Sequence, residues 1–470
     1  MPEYNQLTES IAQELIGIFG AANVYYNDAE RLEPYAHDEA AGCATRIPEA
    51  VVRPKSAEEI SQLMKLANRE KIPVTARGAG SGLSGGAVPI YGGIVIDCCR
   101  MNHILDVDKA NMTVTVEPGV ITSEINEMLR PHGLFYAGYP MSLETCTIGG
   151  NVAENAGGGK AVKYGVTGRY VLGLEMVSPT GDIVMLGGKL VKDVSGINLL
   201  QLMIGSEGIL GVFTKIILKL LPLPKASVDM LCLFNSIGEA IGAVPKIMTE
   251  GGVIPTAVEF MDKLSFQTAC QYLNETLPCQ DSGAMLLITI DGADAAQVEH
   301  DYDVIGEQCL KAGATQVYVA DTKANSERIW RIRRSVAEAF KVFSPNQSLE
   351  DIVVPIASIP DMSAAIDRIS KKYGVLIPCY GHAGDGNLHI YVLRDELGEE
   401  EWKAKLLAVF EDLYAKAREL GGQVSGEHGI GSAKKPYLAE SLSPETRAIM
   451  RGIKAVFDPK NILNPGKVVS

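Results

Sequence analysis

No stretch of this 470-residue chain approaches the ~18 consecutive apolar residues that a membrane-spanning helix requires. The opening residues, MPEYNQLTESIAQELIGIFG, also lack a basic segment followed by an unbroken apolar one, and they carry Glu3, Glu9 and Glu14. They read as a short amphipathic helix rather than a secretory or transit signal. Positive charge is scarce: 43 Lys and Arg stand against 57 Asp and Glu, a formal net charge of −14. Nucleic acid and an anionic membrane surface are disfavoured as main partners, because both need a basic face. The nine cysteines (43, 98, 99, 146, 232, 270, 279, 309 and 379) contain no CxxC pair and no ferredoxin-like cluster. That spacing argues against an iron–sulfur centre or a zinc ribbon. An odd count without an export signal fits reduced thiols, so a cytoplasmic protein with no membrane span is expected.

What is present is globular material. With 46% hydrophobic residues the chain can build two or three domains, each with a core. EAVVRP predicts a strand near residue 50, and SAEEISQLMKLANREK a helix capped by Ser56 and Glu59 with Ile60, Leu63, Met64 and Ala67 on one face. IPVTA, GGIVID, HILDVD and MTVTVEPG predict strands. TSEINEMLRPHG predicts a helix ended by Pro131 and Gly133, and LEMVSPTGDIVML a hairpin around Thr180-Gly181. This is an α+β pattern rather than a regular doubly wound one. KLLPLPKAS, residues 219–227, reads as a linker because Pro222 and Pro224 interrupt helix and strand alike. Beyond it, long amphipathic helices alternate with short strands.

The stretch ARGAGSGLSGGAVP, residues 76–89, is crowded with glycine and matches GxGxxG from Gly80 to Gly85. A dinucleotide fingerprint of the Rossmann type needs a helix directly afterwards. Here Pro89, Gly92 and Gly93 follow, so the segment predicts a loop and then a strand from Ile94 to Asp97. Its glycines suit consecutive backbone N–H groups that approach an anion without a helix. A flexible glycine hinge is the competing explanation.

Three of the seven histidines fall in two glycine-bounded segments, GHAGDGNLHIYV and GGQVSGEHGIG. The first puts His382 on a loop and NLHIYV on a strand, whose period of two points His389 and Tyr391 the same way, opposite Leu388, Ile390 and Val392. The second sets Glu427 beside His428. Two histidines and a glutamate make a divalent-metal set with open positions, although structural turn histidines share the spacing. In SERIWRIRRSVAEAFKVF, Arg333 falls on the apolar stripe of Ile329, Ile332, Val336 and Phe340, while Arg331 and Arg334 do not. A buried arginine needs an anion, which is either an internal carboxylate or a bound one.

Taken in order, ARGAGSGLSGGAVP, TIGGNVAENAGGGKAVKYG, IGSEGILGVFTKI, GHAGDGNLH, SGEHGIG and the terminal NPGK resemble the FAD-linked 2-hydroxyacid dehydrogenases of the vanillyl-alcohol oxidase superfamily, over roughly residues 35–467. The resemblance implies an α+β fold: an N-terminal helical segment (1–46), a two-subdomain FAD-binding domain of the p-cresol methylhydroxylase type (47–225), an α/β substrate domain of the FAD-linked oxidase C-terminal type (226–420), and a segment returning to the flavin (421–470). It implies FAD held by Gly78, Ala79, Gly80, Ser81, Gly82 and Ser84 at the diphosphate. Pro140, Gly149, Gly150, Asn151, Ala156, Gly157, Gly158 and Gly165 would line the flavin and ribityl region, with Glu207 and Ile209 by the adenosine side and Asn464 at the ring. The glycine loop carries no histidine, and Cys146 is read as a packed thiol, so non-covalent FAD is expected.

The same resemblance implies a divalent metal (Zn, Fe or Mn) on His382, His389 and Glu427, a catalytic base at His428, and Arg333 gripping the substrate carboxylate. Tyr391 is counted with His428 and Arg333 among the catalytic residues; it stands where relatives specific for a longer diacid differ, which favours a short monocarboxylate. The expected reaction is oxidation of a D-2-hydroxy acid, D-lactate foremost, to the 2-oxo acid, with glycolate as an alternative substrate. Nothing in the chain offers an outlet for the electrons. A protein acceptor is therefore expected, electron transfer flavoprotein or an iron–sulfur subunit among relatives. Two rivals share the fold: a non-redox flavoenzyme similar to alkylglycerone-phosphate synthase, and an idle flavin-binding subunit of a complex.

Overall fold

The structure is a computed structural model that describes residues 4–40, 43–277, 281–320, 322–394 and 396–469, so Cys279 lies outside the described residues. The chain divides into two units. One comprises residues up to Gly157, Val166–Leu223 and residues from Glu427 onward; the other comprises Gly158–Gly165 and Pro224–Gly426.

In the first unit, a four-stranded sheet runs in the order Val24–Tyr26, Ala50–Val52, Ile94–Asp97, Val74–Arg77. Only its first pair is antiparallel. The helix Ala57–Glu70 begins where Ser56 Oγ accepts the Glu59 N–H at 3.3 Å, and it buries Ile60, Leu63, Met64 and Ala67 against Val74, Ile94 and Ile96. The amphipathic helix expected at the N-terminus spans Glu9–Phe19 and adds Leu15 and Phe19 to that core. The sheet is completed from the far end of the sequence. Val74 N–H donates to the Ile462 carbonyl and Asn464 N–H to the Val74 carbonyl, both at 2.7 Å.

A second sheet of this unit is antiparallel, in the order Ile104–Asp108, Thr113–Val116, Val212–Lys219, Val171–Val177, Ile183–Gly187. Its last hairpin turns at Gly181, whose φ of +89° suits glycine, as the Thr-Gly pair predicts. The boundary between the two units falls at Leu223 and Pro224, inside the segment KLLPLPKAS read as a linker, and that segment is partly strand: Leu221–Pro222 pairs with Leu134–Phe135, and a strand starts at Ala226. Pro222 is tolerated because this ladder is two residues long and needs few donors.

The second unit is built on a seven-stranded antiparallel sheet, ordered Gln316–Val319, Ala226–Phe234, Ala284–Gly292, Ala257–Asp262, Cys379–His382, Asn387–Leu393, Gln347–Val353. Two of its strands are nine residues long, where short strands were expected. The helices Lys263–Leu273 and Lys323–Phe343 pack on one face. The short helix Ala161–Tyr164 is fixed here by Lys163 and Tyr164, which reach the Asp291 carboxylate at 2.6 and 2.8 Å. His382 ends a strand instead of lying on a loop, because the chain pairs with residues 259–261 on one side and with residues 387–390 on the other before turning at Gly386.

Candidate active site

The first unit presents a cradle made of backbone. Among the described residues none accepts a hydrogen bond from the N–H groups of Ala79, Gly80, Ser81 or Gly82. Gly80 and Gly85 have φ of +74° and +75°. A Cβ at Gly78 would collide with Thr147 Oγ1, so the loop lies against the turn that starts the helix Ile148–Glu154. At Gly149 a Cβ would stand 2.6 Å from Pro118 Cβ and 2.8 Å from its carbonyl oxygen. Ser84 Oγ, Thr147 Oγ1 and Ser206 Oγ are buried without a hydrogen-bond partner among the described residues. Buried hydroxyls are rarely left so. Open amides, glycines in close approach and unsatisfied hydroxyls together fit a bound diphosphate-containing cofactor.

Around this cradle the C-terminal segment closes in. Ser432 and Ala433 donate their N–H groups to the Ser84 carbonyl at 3.1 and 3.0 Å. Glu207, a non-glycine residue at φ +50°, takes the N–H groups of Ile430 and Gly431 on its carboxylate, and Asn464 Nδ2 donates to the Glu207 carbonyl at 2.8 Å. Glu207 is therefore a clamp on the returning chain. Lys467 is fully buried and donates to the Gly86 carbonyl at 2.6 Å and to Asn464 Oδ1 at 3.2 Å. Burial pulls its ammonium down to about 7 against the opposing pull of Asp38, Glu207 and Glu154. Glu154 moves the other way: burial, then Glu207 and Asp38, hold its carboxyl well above the ordinary range.

The second unit carries its polar groups on side chains. Arg333, on the apolar stripe of its helix, reaches the fully buried Glu259 with Nη2 2.5 Å from Oε2. The contact is poorly aligned for a hydrogen bond, and Arg333 Nε has no hydrogen-bond partner among the described residues. The other oxygen of Glu259 lies 2.7 Å from His382 Nδ1, and His382 Nε2 lies 3.4 Å from His389 Nε2. Burial would raise the Glu259 carboxyl, but His382 and Arg333 outweigh it and hold it below its ordinary value. Nitrogens bound at 2.0–2.1 Å to one tetrahedral ion stand about 3.4 Å apart, so the two imidazoles are spaced as a metal's donors would be.

An aromatic wall backs this chain. Tyr380 lies under the Arg333 guanidinium at 4.6 Å and beside the His389 ring at 5.2 Å, and it stacks on Tyr391. His389 and Tyr391 do share a face, as the alternation predicts, but Tyr391 is packed between Tyr380 and Phe340. Burial pushes its phenol well above the ordinary value.

The first unit brings together the loop 78–84 with Gly149, Gly150, Glu207 and Asn464, while Asn151 points its amide to Thr122 Oγ1 at 2.7 Å and Pro140 is half-buried. Ile209 offers its carbonyl to the buried Lys454, a structural contact. Ala156 and Gly157 precede the boundary; Gly158 and Gly165 lie beyond it, in the second unit. Cys146 is buried beside Thr122, a packed thiol as expected. Glu427 and His428 directly follow Gly426, the last residue of the second unit, whose N–H is held 3.0 Å from the buried Asp351. Sequence reasoning missed Glu259, Asp351 and the role of Lys467. The available signals were one acid inside the apolar strand AVEFMD, another inside LEDIVV, and the lysine of NPGK.

Residues 48–187 match the FAD binding domain, and residues 223–468 match the C-terminal domain of FAD linked oxidases. A glycolate oxidase subunit of Bacillus subtilis is 40% identical over 462 residues, 98% of this chain and 97% of the relative. A D-lactate dehydrogenase of Anaerostipes hadrus is 40% identical over 471 residues, 99% and 98% of the two chains. Among solved structures, p-cresol methylhydroxylase with substrate bound superposes with a TM-score of 0.80 at 20% identity, covering 100% of this chain and 99% of that one. No helix among the described residues is long and apolar enough to cross a membrane. The backbone cradle and the two matched domains thus converge: the chain belongs to the FAD linked oxidases and is an FAD-dependent oxidoreductase.

Proposed function

We propose that this enzyme oxidises a D-2-hydroxy acid, D-lactate foremost, to the 2-oxo acid and passes the electrons to a protein acceptor such as electron transfer flavoprotein. The observation that carries the reading is the buried row Arg333, Glu259, His382, His389, which sets a cation able to read a carboxylate beside two convergent imidazoles. The names of the full-length relatives, a D-lactate dehydrogenase and a glycolate oxidase subunit, support the substrate class and leave glycolate as the alternative.

Bound FAD supplies the two-electron acceptor, and a divalent ion (Zn, Fe or Mn) on His382, His389 and Glu427 supplies a Lewis acid for the substrate hydroxyl. Arg333 receives the carboxylate and fixes the handedness of the Cα–H presented. His428 takes the hydroxyl proton as the Cα hydride leaves, so two electrons and two protons depart and a carbonyl remains. Tyr380 and Tyr391 keep water from the arginine. Anaerobic addition of D-lactate should bleach the flavin absorbance while L-lactate leaves it unchanged. Flavin that no short 2-hydroxy acid reduces would overturn the assignment.

A further inference from the structure

The Glu259 carboxylate bridges the two halves of that row, one oxygen toward Arg333 and one toward His382. It sits in mid-strand, paired in register with His382 on one side and Leu287 on the other, with no exposed surface. A buried carboxylate in that position is costly unless both oxygens are engaged. Oε1 meets this need at His382 Nδ1, while Oε2 has the ion pair with Arg333 Nη2 without a well-aligned hydrogen bond. Because Nδ1 of His382 is taken, the lone pair available on that ring is at Nε2, the atom facing His389. Meanwhile the Arg333 contact is misaligned and Nε is left over, so the guanidinium is balanced in charge without being used up as a donor fork.

We infer that Glu259 is a positioning residue that fixes the tautomer of His382 for metal binding while holding Arg333 as a buried cation with donors to spare. This rests on the metal and substrate roles proposed above. Two consequences follow from one carboxylate serving two partners. A metal on His382 Nε2 draws the Nδ1–H more strongly toward Oε1 and so weakens the hold of Glu259 on Arg333. Occupancy of the metal position therefore strengthens carboxylate binding at Arg333, and by reciprocity a bound carboxylate strengthens metal binding.

The test is a titration of FAD-loaded, metal-stripped protein with Zn²⁺ against a competing chelator, without substrate, in the native chain and in Glu259→Gln and Glu259→Asp. Visible bands of the Co²⁺-loaded proteins are recorded alongside. Glu259→Gln should keep the flavin absorbance, weaken Zn²⁺ about 10- to 100-fold and shift the Co²⁺ bands, with Glu259→Asp recovering part of the affinity. If Glu259→Gln does not fold, the charge-balanced pair Glu259→Gln with Arg333→Met should show the same loss relative to Arg333→Met alone. Equal Zn²⁺ affinity in native and Glu259→Gln proteins would overturn this inference and leave the proposed reaction standing. A native protein that binds no Zn²⁺ or Co²⁺ would overturn both.

Discussion

The two units offer opposite means of recognition. The loop 78–84 and the helix start at 148–150 present backbone amides and an absence of side chains, whereas the sheet of the second unit presents the buried polar side chains of Glu259, Arg333, His382 and His389. A backbone cradle tolerates little change of volume and is indifferent to charge. A row of buried charges tolerates changes of volume better than the loss of any one charge. The contrast teaches where each kind of substitution should be felt.

The largest effect is expected at the chemistry. His428→Ala should retain FAD yet slow flavin reduction by D-lactate about 10²- to 10⁴-fold in stopped-flow measurements; reduction at the native rate would remove His428 from the mechanism. Next comes the charge row. Arg333→Met leaves Glu259 buried with one partner fewer and should lower stability by about 3–5 kcal/mol in chemical denaturation. Adding Glu259→Gln should restore much of that loss, and purely additive losses would mean that the pair is not coupled.

The cradle should respond to volume alone. Gly149→Ala places a methyl against Pro118, where backbone cannot yield cheaply, and should cost about 1–3 kcal/mol and most of the bound FAD while leaving Zn²⁺ affinity unchanged. The last effect, small at any one pH step, is one of slope. Lys467, at about 7 in the folded chain and near 10.5 unfolded, binds fewer protons folded than unfolded between those values. Its contribution to stability therefore rises with pH through that window, by at most about 1.4 kcal/mol per pH unit. Lys467→Met should flatten that rise in melting temperature between pH 7 and 10.

The cradle was the more legible region. Gly78 and Gly80 announce themselves because glycine in such density has few structural uses, Gly149 came only through the family resemblance, and Pro89 with Gly92 and Gly93 ruled out a following helix, leaving a strand that runs from Ile94 to Asp97. Arg333 was legible as a buried cation from helical period alone, but its anion was not. Glu259 is 74 positions upstream, and only the pairing of its strand with the one ending at His382 brings the three together. The placement of His382 failed for the same reason: GHAGDG reads locally as a turn, and the strand leading into it is fixed by neighbours from residues 259–261. Local propensity reports on turns and stripes; long-range ladders decide which lone acid meets which lone base.

The sheet of the flavin-binding unit takes its closing contacts at Val74 from Ile462 and Asn464, with the whole of residues 224–426 synthesised in between. During translation the early part of that unit must wait, open at one edge, until the intervening unit and the last stretch of chain have left the ribosome. Cofactor loading on this protein should therefore come late, once residues 462–464 are in place. A chain that stalls or is clipped before residue 462 should be seen by the cell as an unfinished flavoprotein, prone to proteolysis, rather than as an enzyme missing a tail.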